Sequence, residues 1–527
     1  ITFLDVSSLN LVLNLAFNNY KVLAFSDWDS VILYLYLLAL LFIIAALYLY
    51  TQLANDNLPP TPFPALPIFG HLYLLKKPLH KTLSALSKKY GPVFYFLYGS
   101  RRVLFVSSAA AAEECFTKND IIFANRPNII FGKYISNNFT SIVWSGYGDH
   151  WRNLRKLCVL EIFSTYRLQK LSYIRIEEVK SMLKRLFKLS GCGMQEVEIK
   201  PLFFELMFNL LTRMIAGKRY YGEESKNSEE AKRFQEIINE TSRLANAFDM
   251  GDYVPVLRWF WFKGIENQFV ELSKRRYEFV QGWIDQLRES GNKGENENFI
   301  QILLDLHEAE PDYYTDGFIV SLMQVLLQAG VGTAVDALEW AMSLLLNNPE
   351  VLLKARNEID KVVGKDGLIS KSHLAELPYL RYIIYETLRM YPVLRYLVPH
   401  ESSEECTVGG FRVPRGTMLL VDVKAIQNDP KIWQDPEIFR PERFQERNVG
   451  HRWLPFGSGR RKCPGEGLAM RIIALALGAL IQCFQWERIG EEMLDMAEGD
   501  DYFFPKVVPL KAKCGARPSM VTLLSEI

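Results

Sequence analysis

The spacing of apolar and polar positions sets out the elements before any chemistry is considered. Val31 to Tyr50 is twenty residues without a charge, ending Leu-Tyr-Leu-Tyr, long enough as a helix to cross about 30 Å of hydrocarbon. It predicts a single N-terminal transmembrane helix over 31–50; a cleaved signal peptide would have a shorter apolar core and a small-residue cleavage site. Phe318 to Val335 is a second uncharged run, of eighteen residues. Ser321, Gln324, Gln328, Thr333 and the small residues Ala329-Gly330-Val331-Gly332 make it too polar for lipid, and Asp336 and Glu339 continue the same helical period. The pattern predicts a long buried helix that stops at Asn347-Asn348-Pro349. A third apolar run, Leu468 to Ile481, is also helical in period. Gly91 to Ser108 alternates apolar residues about Gly99-Ser100 and predicts a hairpin. Strand-like interruptions recur near Cys406 to Val413 and toward the C-terminus, while most of the remainder keeps a helical period. The expected class is mainly α with small β-sheets. Two polar stretches, Gly222 to Lys232 and Ser290 to Asn298, read as surface loops between helices.

Composition narrows the organisation. The run Leu58-Pro59-Pro60-Thr61-Pro62-Phe63-Pro64-Ala65-Leu66-Pro67 resists both helix and sheet. It predicts a semi-rigid proline-rich hinge over 51–67, with 68–527 as one domain, since no internal repeat or long low-complexity linker divides the rest. The first methionine is Met182, so Ile1 is expected to be no translation start and 1–30 an N-terminal extension of uncertain origin. Asp5, Lys21, Asp27 and Asp29 precede the apolar run and the first lysines after it are Lys76 and Lys77, a bias toward a cytosolic C-terminal body. A formal charge of +1 gives no reason to expect nucleic acid as a partner. Seven cysteines show no Cys-x-x-Cys pair and no spacing suited to zinc. Such a scattered, odd set suggests reduced thiols facing the cytosol, where sequons at Asn138 and Asn239 would stay unmodified.

Candidate chemistry centres on one of those cysteines. Pro455-Phe456-Gly457-Ser458-Gly459-Arg460-Arg461-Lys462-Cys463-Pro464-Gly465 puts Cys463 in a glycine-rich, cationic loop just before the Leu468–Ile481 run. It reads as a haem-thiolate loop with Cys463 as the metal ligand, because a thiolate pushes electron density onto haem iron and favours cleavage of dioxygen. Loop amides and the following helix N-terminus would stabilise an anionic sulfur, and glycines let backbone approach a flat macrocycle. Arg461 would meet a haem propionate, since a guanidinium fork matches a carboxylate. The competing reading is a buried structural cysteine beside a basic turn.

Phe456, Gly459, Arg461, Cys463 and Gly465 match the cytochrome P-450 signature Phe-x-x-Gly-x-Arg-x-Cys-x-Gly, and the chain resembles that family. The resemblance implies the cytochrome P-450 fold from about residue 58 to the end, as one haem-thiolate catalytic domain, with Phe456 and Gly465 beside a haem b. Tyr385-Glu386-Thr387-Leu388-Arg389 and Phe439-Arg440-Pro441-Glu442-Arg443-Phe444 are similar to the family's Glu-x-x-Arg and Pro-Glu-Arg-Phe elements. Glu386, Arg389 and Arg443 are then implied to form a buried charge network behind the haem. In isolation, a pair three apart on a helix is a solvated surface bridge. Trp151-Arg152-Asn153-Leu154-Arg155 resembles the family's Trp-x-x-x-Arg, which implies Arg155 at a propionate with Trp151 packed nearby. The same likeness makes His400 a candidate propionate donor, a surface histidine being the alternative. Arg152, Lys156 and Lys462 are implied to form a basic patch for the acidic face of a reductase flavodomain.

The oxygen side departs from the pattern. Plant members usually read Ala-Gly-x-Asp-Thr, whereas this chain reads Ala329-Gly330-Val331-Gly332-Thr333. The catalytic positions implied are Thr333, whose hydroxyl assists oxygen activation, and Gly332, where the proton-relaying carboxylate is missing. Altered proton delivery and more leakage to peroxide are expected. Asp336, one turn on, is a candidate substitute relay or an ion-paired acid. The distal pocket is implied to be lined by Asn125 to Ser145, by Gln328 to Thr333 with Ala329 and Gly330, and by Tyr391 to His400. A turn over Gly499 to Pro505 would add Tyr502, Phe503 and Phe504, whose bulk either narrows the pocket toward a flat aromatic substrate or fills core. Arg395, where relatives are usually apolar, is expected to anchor a substrate oxygen or to pair with a propionate or Asp501. Lys424 stands where relatives are usually aromatic.

Ala337-Leu338-Glu339-Trp340-Ala341, Pro399-His400-Glu401-Ser402-Ser403-Glu404, Val413-Pro414-Arg415-Gly416-Thr417 and Gln482-Cys483-Phe484-Gln485-Trp486-Glu487-Arg488 look like plant microsomal cytochromes P-450. Within them the chain most resembles the family of isoflavone 2′- and 3′-hydroxylases and methylenedioxy-bridge synthases. The resemblance implies an NADPH- and dioxygen-dependent monooxygenase, fed by NADPH-cytochrome P-450 reductase and held in the endoplasmic reticulum membrane by one span, with its catalytic domain cytosolic. The substrate implied is a small apolar or aromatic plant metabolite, a phenolic of flavonoid, isoflavonoid or lignan type, hydroxylated or closed into a methylenedioxy bridge. The alternatives are a terpenoid or alkaloid oxidase and a reductase-independent isomerase or dehydratase of the same fold.

Overall fold

The computed structural model describes residues 32–43, 57–191, 193–222, 228–245, 250–254, 263–290, 298–364, 367–445, 449–499 and 505–527. The chain divides into two compact units, Ile1–Leu58 and Pro59–Ile527. In the first, helix Ile32–Ile43 exposes its large apolar side chains. At about 1.5 Å per residue it covers about 18 Å, short of a bilayer's hydrocarbon; 1–30, Val31 and 44–50 lie outside the described residues.

The larger unit is mainly helical with small sheets, as the helical period of the sequence predicts. The helices that build the site are α1 (Asp149–Leu157), α2 (Ser172–Ser190), α3 (Lys200–Ala216), α4 (Ser228–Ala245), α5 (Lys263–Ser290), α6 (Asp316–Asn347), α7 (Pro378–Met390) and α8 (Glu466–Cys483). α6 is the central one. Thr315 caps it, its hydroxyl accepting from Phe318 N–H at 3.3 Å, and Pro349 opens the next helix. Leu322, Met323, Val331, Leu338 and Trp340 are wholly buried, and α3, α5, α7 and α8 all pack on α6. A helix apolar on every side belongs inside a core, so the eighteen-residue uncharged run is a core helix.

The predicted hairpin is β1 (Val93–Tyr98) and β2 (Arg101–Val106), with Val93 opposite Val106 and Tyr98 opposite Arg101. Gly99 turns it at φ +61°, and a Cβ there would stand 2.1 Å from Tyr253 O, so only glycine fits. The other strands are β3 (Gln195–Glu198), β4 (His400–Glu401), β5 (Cys406–Val408), β6 (Phe411–Val413), β7 (Met418–Val421), β8 (Phe484–Glu487) and β9 (Lys511–Ala516). They form a sheet in the order β1-β2-β7-β4, in which only β2 and β7 run parallel, a sheet β3-β9-β8, and the hairpin β5-β6. Part of the proline run is bonded to the body. Tyr95 N–H donates to Pro60 O at 2.9 Å, and His71, whose Nδ1 accepts from Leu97 N–H, donates from Nε2 to Pro62 O at 2.7 Å.

One loop expectation is corrected. The polar stretch Gly222 to Lys232 does not stay irregular: α4 begins at Ser228 and includes Lys232. Glu229 and Glu230 favour the positive end of that helix, and Ala231, Phe234 and Ile237 are buried at helical spacing. The polar residues are its solvated face. Of the second stretch, Ser290 ends α5 and Asn298 caps the following helix, while 291–297 lie outside the described residues.

Candidate active site

Cys463 sits on a loop that the start of α8 holds in place. Its N–H donates to Phe456 O at 2.9 Å, and Gly457 and Gly459 take φ of +69° and +65°. Gly459 has a second constraint, because a Cβ would lie 2.3 Å from Asp120 Oδ1. That carboxylate accepts Arg460 N–H at 3.0 Å and pairs with Arg460 Nε at 3.1 Å. Gly465, the N-cap of α8, is not required by packing: a Cβ would make ordinary contact with Cys463 Sγ at 3.8 Å. Cys463 is exposed whereas the other described cysteines are buried, which does not fit a buried structural thiol. Surrounding protein pushes its pKa up and Glu466 adds to that, while the Gly465 and Glu466 N–H groups and Arg155 pull it down.

Arginines gather beside this loop. Arg461 donates from Nε to Ala124 O at 2.7 Å, from Nη1 to Ile142 O at 3.1 Å and from Nη2 to Ser145 O at 2.6 Å. Its guanidinium lies 4.5 Å from the centre of the Trp151 ring, and Trp151 Nε1 donates to the same Ile142 O at 3.1 Å. Arg155 Nη1 donates to Lys462 O at 2.5 Å, and Arg126 donates to the carbonyls of Val143, Val398 and Pro399. Every acceptor of Arg461 is a neutral carbonyl. Burial, then the charges of Arg126 and Arg155, lower its pKa to about 8. His400 is buried, and its Nδ1 lies 2.7 Å from Phe123 O. A carbonyl only accepts, so Nδ1 carries a proton; burial, then the Arg126 charge, lowers the pKa of the ring. Nε2 is the nitrogen left to face a haem propionate, the role proposed for His400.

Haem would need a sulfur ligand and counter-charges for two carboxylates. An exposed Cys463 Sγ, helix-start amides near it, and mutually repelling guanidiniums, of which Arg461 meets no acid among the described residues, fit that demand.

Behind the loop, Glu386, Arg389 and Arg443 meet. Arg389 donates to Glu386 Oε2 from Nε at 2.7 Å and to Oε1 from Nη2 at 2.9 Å. Its remaining donors reach Gln427 O at 2.9 Å and Pro436 O at 2.7 Å. Arg443 Nε and the Arg440 N–H each donate to Glu386 Oε1 at 3.1 Å. Arg443 also bonds the carbonyls of Gln434, Asp435 and Ile438, tying the segment before the cysteine loop to α7.

Midway along α6 burial lapses. Ala329 is exposed and Gly332 and Thr333 half-buried, and these three share one helical face. Thr333 Oγ1 donates to Ala329 O at 2.6 Å. A Cβ at Gly332 would meet nothing within 4 Å, so the missing carboxylate has room. Asp336 is the ion-paired acid and no relay: Lys200 Nζ lies 3.3 Å from its Oδ1 and 2.8 Å from Glu339 Oε2. Packing also constrains Gly330: a Cβ there would strike Leu211 Cδ1 of α3 at 2.6 Å, so this glycine serves the close approach of α3 and α6.

Arg395 lies between Asp422 Oδ2, at 3.7 Å, and Glu498 Oε2, at 3.8 Å. Lys424 pairs with the same Glu498 and donates to Met390 O at 2.5 Å. With two carboxylates beside it, Arg395 takes the ion-paired alternative, with Asp422 and Glu498 in place of Asp501. Asp501 and Tyr502, Phe503 and Phe504 lie outside the described residues. Arg152 pairs with Asp149, and Lys462 with Glu466 at 2.6 Å, so two members of the basic patch have acidic neighbours. Arg126 was not anticipated, although it is the one charge between Asp120 and Lys133, a local signal that could have found it. Glu498 has no such signal.

The geometry agrees with what is known of similar proteins. A family model described as Cytochrome P450 matches residues 59–509. The chain is 49% identical over 499 residues to Cytochrome P450 81Q32 of Catharanthus roseus, covering 94% of this chain and 99% of that protein. It is 45% identical over 499 residues to (+)-piperitol/(+)-sesamin synthase CYP81Q2 of Sesamum radiatum, with 93% and 98% covered. Isoflavone 3'-hydroxylase of Medicago truncatula is 45% identical over 492 residues, with 92% and 98% covered. In fold, a zebra fish cytochrome P450 solved with progesterone superposes with a TM-score of 0.72 at 24% identity, covering 84% of this chain and 100% of that one.

Proposed function

We infer the reaction from one premise: the chain belongs to the cytochrome P450 family. It is a cytochrome P450 monooxygenase that uses haem iron and electrons originating from NADPH. The observation that carries the assignment of parts is the exposed Cys463 beside Arg461, on which the like charges of Arg126 and Arg155 act. Haem bound there supplies an iron that activates dioxygen with electron density pushed from the thiolate.

The chain's own residues divide the remaining work. Cys463 would ligate the haem iron; burial raises its pKa in the protein alone, and the Gly465 and Glu466 amides with Arg155 act against that rise. Arg461 and Arg155 would hold the two carboxylates, with Arg126 adding charge, and the Trp151 ring, 4.5 Å from the Arg461 guanidinium, supports it. Glu386, Arg389 and Arg443 keep the loop from shifting, so the sulfur stays in register. Thr333, its proton given to Ala329 O, presents an oxygen lone pair that accepts from a water; with glycine at 332, protons arrive through water rather than a side-chain carboxylate.

The substrate proposed is a plant phenolic of flavonoid, isoflavonoid or lignan type, hydroxylated or closed to a methylenedioxy bridge. The names of the isoflavone 3'-hydroxylase and the sesamin synthase support that class. Electrons enter from NADPH-cytochrome P-450 reductase at the face of Arg152, Lys156 and Lys462, and the apolar run 31–50 anchors the protein in the endoplasmic reticulum membrane with its body in the cytosol. Incubation of the haem-loaded protein with a plant reductase, NADPH and a phenolic, terpenoid and alkaloid panel tests this, with products read by mass. Expected is an oxygenated phenolic, made only with NADPH and lost in Cys463→Ser. Product without NADPH, or activity retained in Cys463→Ser, sinks the reading.

A further inference from the structure

Three cations follow one another in the cysteine loop, and each meets a different neighbour. Lys462 pairs with Glu466 at 2.6 Å, and Arg461 gives its donors to carbonyls. Arg460 is met by an acid from far along the chain, Asp120, 340 residues away. Asp120 Oδ2 lies 3.1 Å from Arg460 Nε, with the two side chains 21% and 42% exposed; a pair so open to water contributes little. The other oxygen does more. Oδ1 accepts the backbone N–H of Arg460 at 3.0 Å, and a carboxylate bonded to a main-chain N–H fixes the chain itself. Gly459 is suited to this contact, since a Cβ there would stand 2.3 Å from the same Oδ1 and 3.1 Å from Phe116 O.

Asp120 stands on a segment that is itself held. Phe116 and Phe123, on either side of it, are buried; Asn119 Nδ2 donates to Thr407 O at 2.8 Å, and Ile122 O accepts Ser403 N–H at 2.9 Å. The same segment makes the next grip on the loop, Ala124 O accepting Arg461 Nε at 2.7 Å. Residues 460 and 461 are therefore fixed from outside the loop. Their turn passes the constraint on: Lys462 N–H donates to Gly459 O at 3.1 Å, and Cys463 N–H to Phe456 O at 2.9 Å. With so few residues between them, a shift of the Arg460 backbone moves Cys463 and its Sγ.

We propose that Asp120 is a positioning residue for the sulfur ligand: by holding the Arg460 N–H, its Oδ1 sets the turn that carries Cys463 and keeps Sγ in register with the haem iron. This deepens the function proposed above and rests on it. Asp120 acts through the backbone of Arg460 and has no part in the chemistry. Without its oxygen the Arg460 N–H is left to water, the cations of the loop repel one another with less to oppose them, and Sγ leaves the iron more readily.

The test uses the haem-loaded protein, reduced in the presence of carbon monoxide. The lifetime of the thiolate-type Soret band is the readout, with far-UV circular dichroism in parallel to follow the fold. Asp120→Ala is expected to shorten that lifetime about 10-fold or more, for loss of one charge-assisted bond to a main-chain N–H. Asp120→Asn keeps an oxygen for the N–H and should stay within about threefold of wild type. So should Arg460→Met, which removes the side-chain pair and leaves the backbone bond. An acid that served stability alone would lower the melting temperature of Asp120→Ala and leave the band's lifetime in folded protein unmoved. That result overturns the proposal, as does a band shortened as much in Asp120→Asn or in Arg460→Met as in Asp120→Ala. If Asp120→Ala does not hold haem, Asp120→Asn is set against Asp120→Glu, which keeps the charge but brings an extra methylene to the close contact with Gly459. A longer-lived band in Asp120→Asn supports the proposal, and an equal or longer one in Asp120→Glu overturns it. A wild type without the band overturns the haem-thiolate reading and this proposal with it, whereas a wild type that shows the band, with variants that match it, overturns this proposal alone.

Discussion

Glu386→Gln measures what holds the charges behind the cysteine loop. In the native arrangement the Glu386 carboxylate takes two bonds from Arg389, one from Arg443 and one from the Arg440 N–H. Glu386 and Arg389 side chains are both 0% exposed. Glutamine keeps the volume and one acceptor oxygen, but it turns an amide N–H toward a guanidinium N–H and removes the charge. Two guanidiniums then share a site without an anion. Breaking one partner of a buried pair in this way costs about 3–5 kcal/mol, whereas an exposed pair contributes about 0–1 kcal/mol. The pair Arg412–Glu405, 3.1 Å apart with side chains 44% and 56% exposed, is the internal control. Urea unfolding of the haem-loaded protein, followed by far-UV circular dichroism and the Soret band, reads both. The expected outcome is a loss of about 3 kcal/mol or more for Glu386→Gln, with haem released at lower urea, and within about 1 kcal/mol for Glu405→Gln. If the two variants lose the same stability, desolvation of stranded guanidiniums is not what holds this region together.

Gly332→Asp should fold without penalty, since nothing lies within 4 Å of the new Cβ and glycine is the poorer helix former by a few tenths of a kcal/mol. Peroxide released per NADPH consumed should fall as a carboxylate returns to the face of Thr333; unchanged coupling would refute the relay role given to that position. Burial raises the Asp336 pKa from 3.8 to about 6, even with Lys200 beside it. A carboxyl whose pKa is raised by folding stabilises the fold when protonated, so this contribution is full below about pH 4 and is lost as pH rises toward 6, by at most about 3 kcal/mol. Asp336→Asn should flatten that slope in melting temperature between pH 4 and 6, and a variant that follows the wild-type slope contradicts it.

The parts legible in the sequence were those whose partners lie close in the chain. Cys463, Gly459 and Arg461 belong to one loop, and Glu386 and Arg389 sit three apart on one helix, so spacing alone put them together. The length and polarity of the α6 run likewise told a core helix from a membrane span. Direction was harder. Gly330 and Gly332 share one run of small residues, yet a Cβ on the first would meet Leu211 and on the second open space, which spacing did not report. For His400 the sequence could not say that Phe123 O takes one ring nitrogen, since that partner lies 277 residues away. Arg395 was read as a substrate anchor or as the partner of a propionate or Asp501, and the carboxylates beside it are Asp422 and Glu498.

The cofactor chemistry was determined by the sequence, because a thiolate ligand, its amide-rich loop and the helix that follows form a local unit whose geometry needs only short-range backbone preferences. The charge bookkeeping of the interior was decided by the tertiary structure. Whether a buried arginine is neutralised depends on which side chains arrive from distant elements: Arg395 acquires two carboxylates, Arg461 meets carbonyls, and Arg276 keeps two buried donors without a hydrogen-bond partner. Electrostatic energy in a poorly screened interior depends on distance in space, and separation along the chain does not report it.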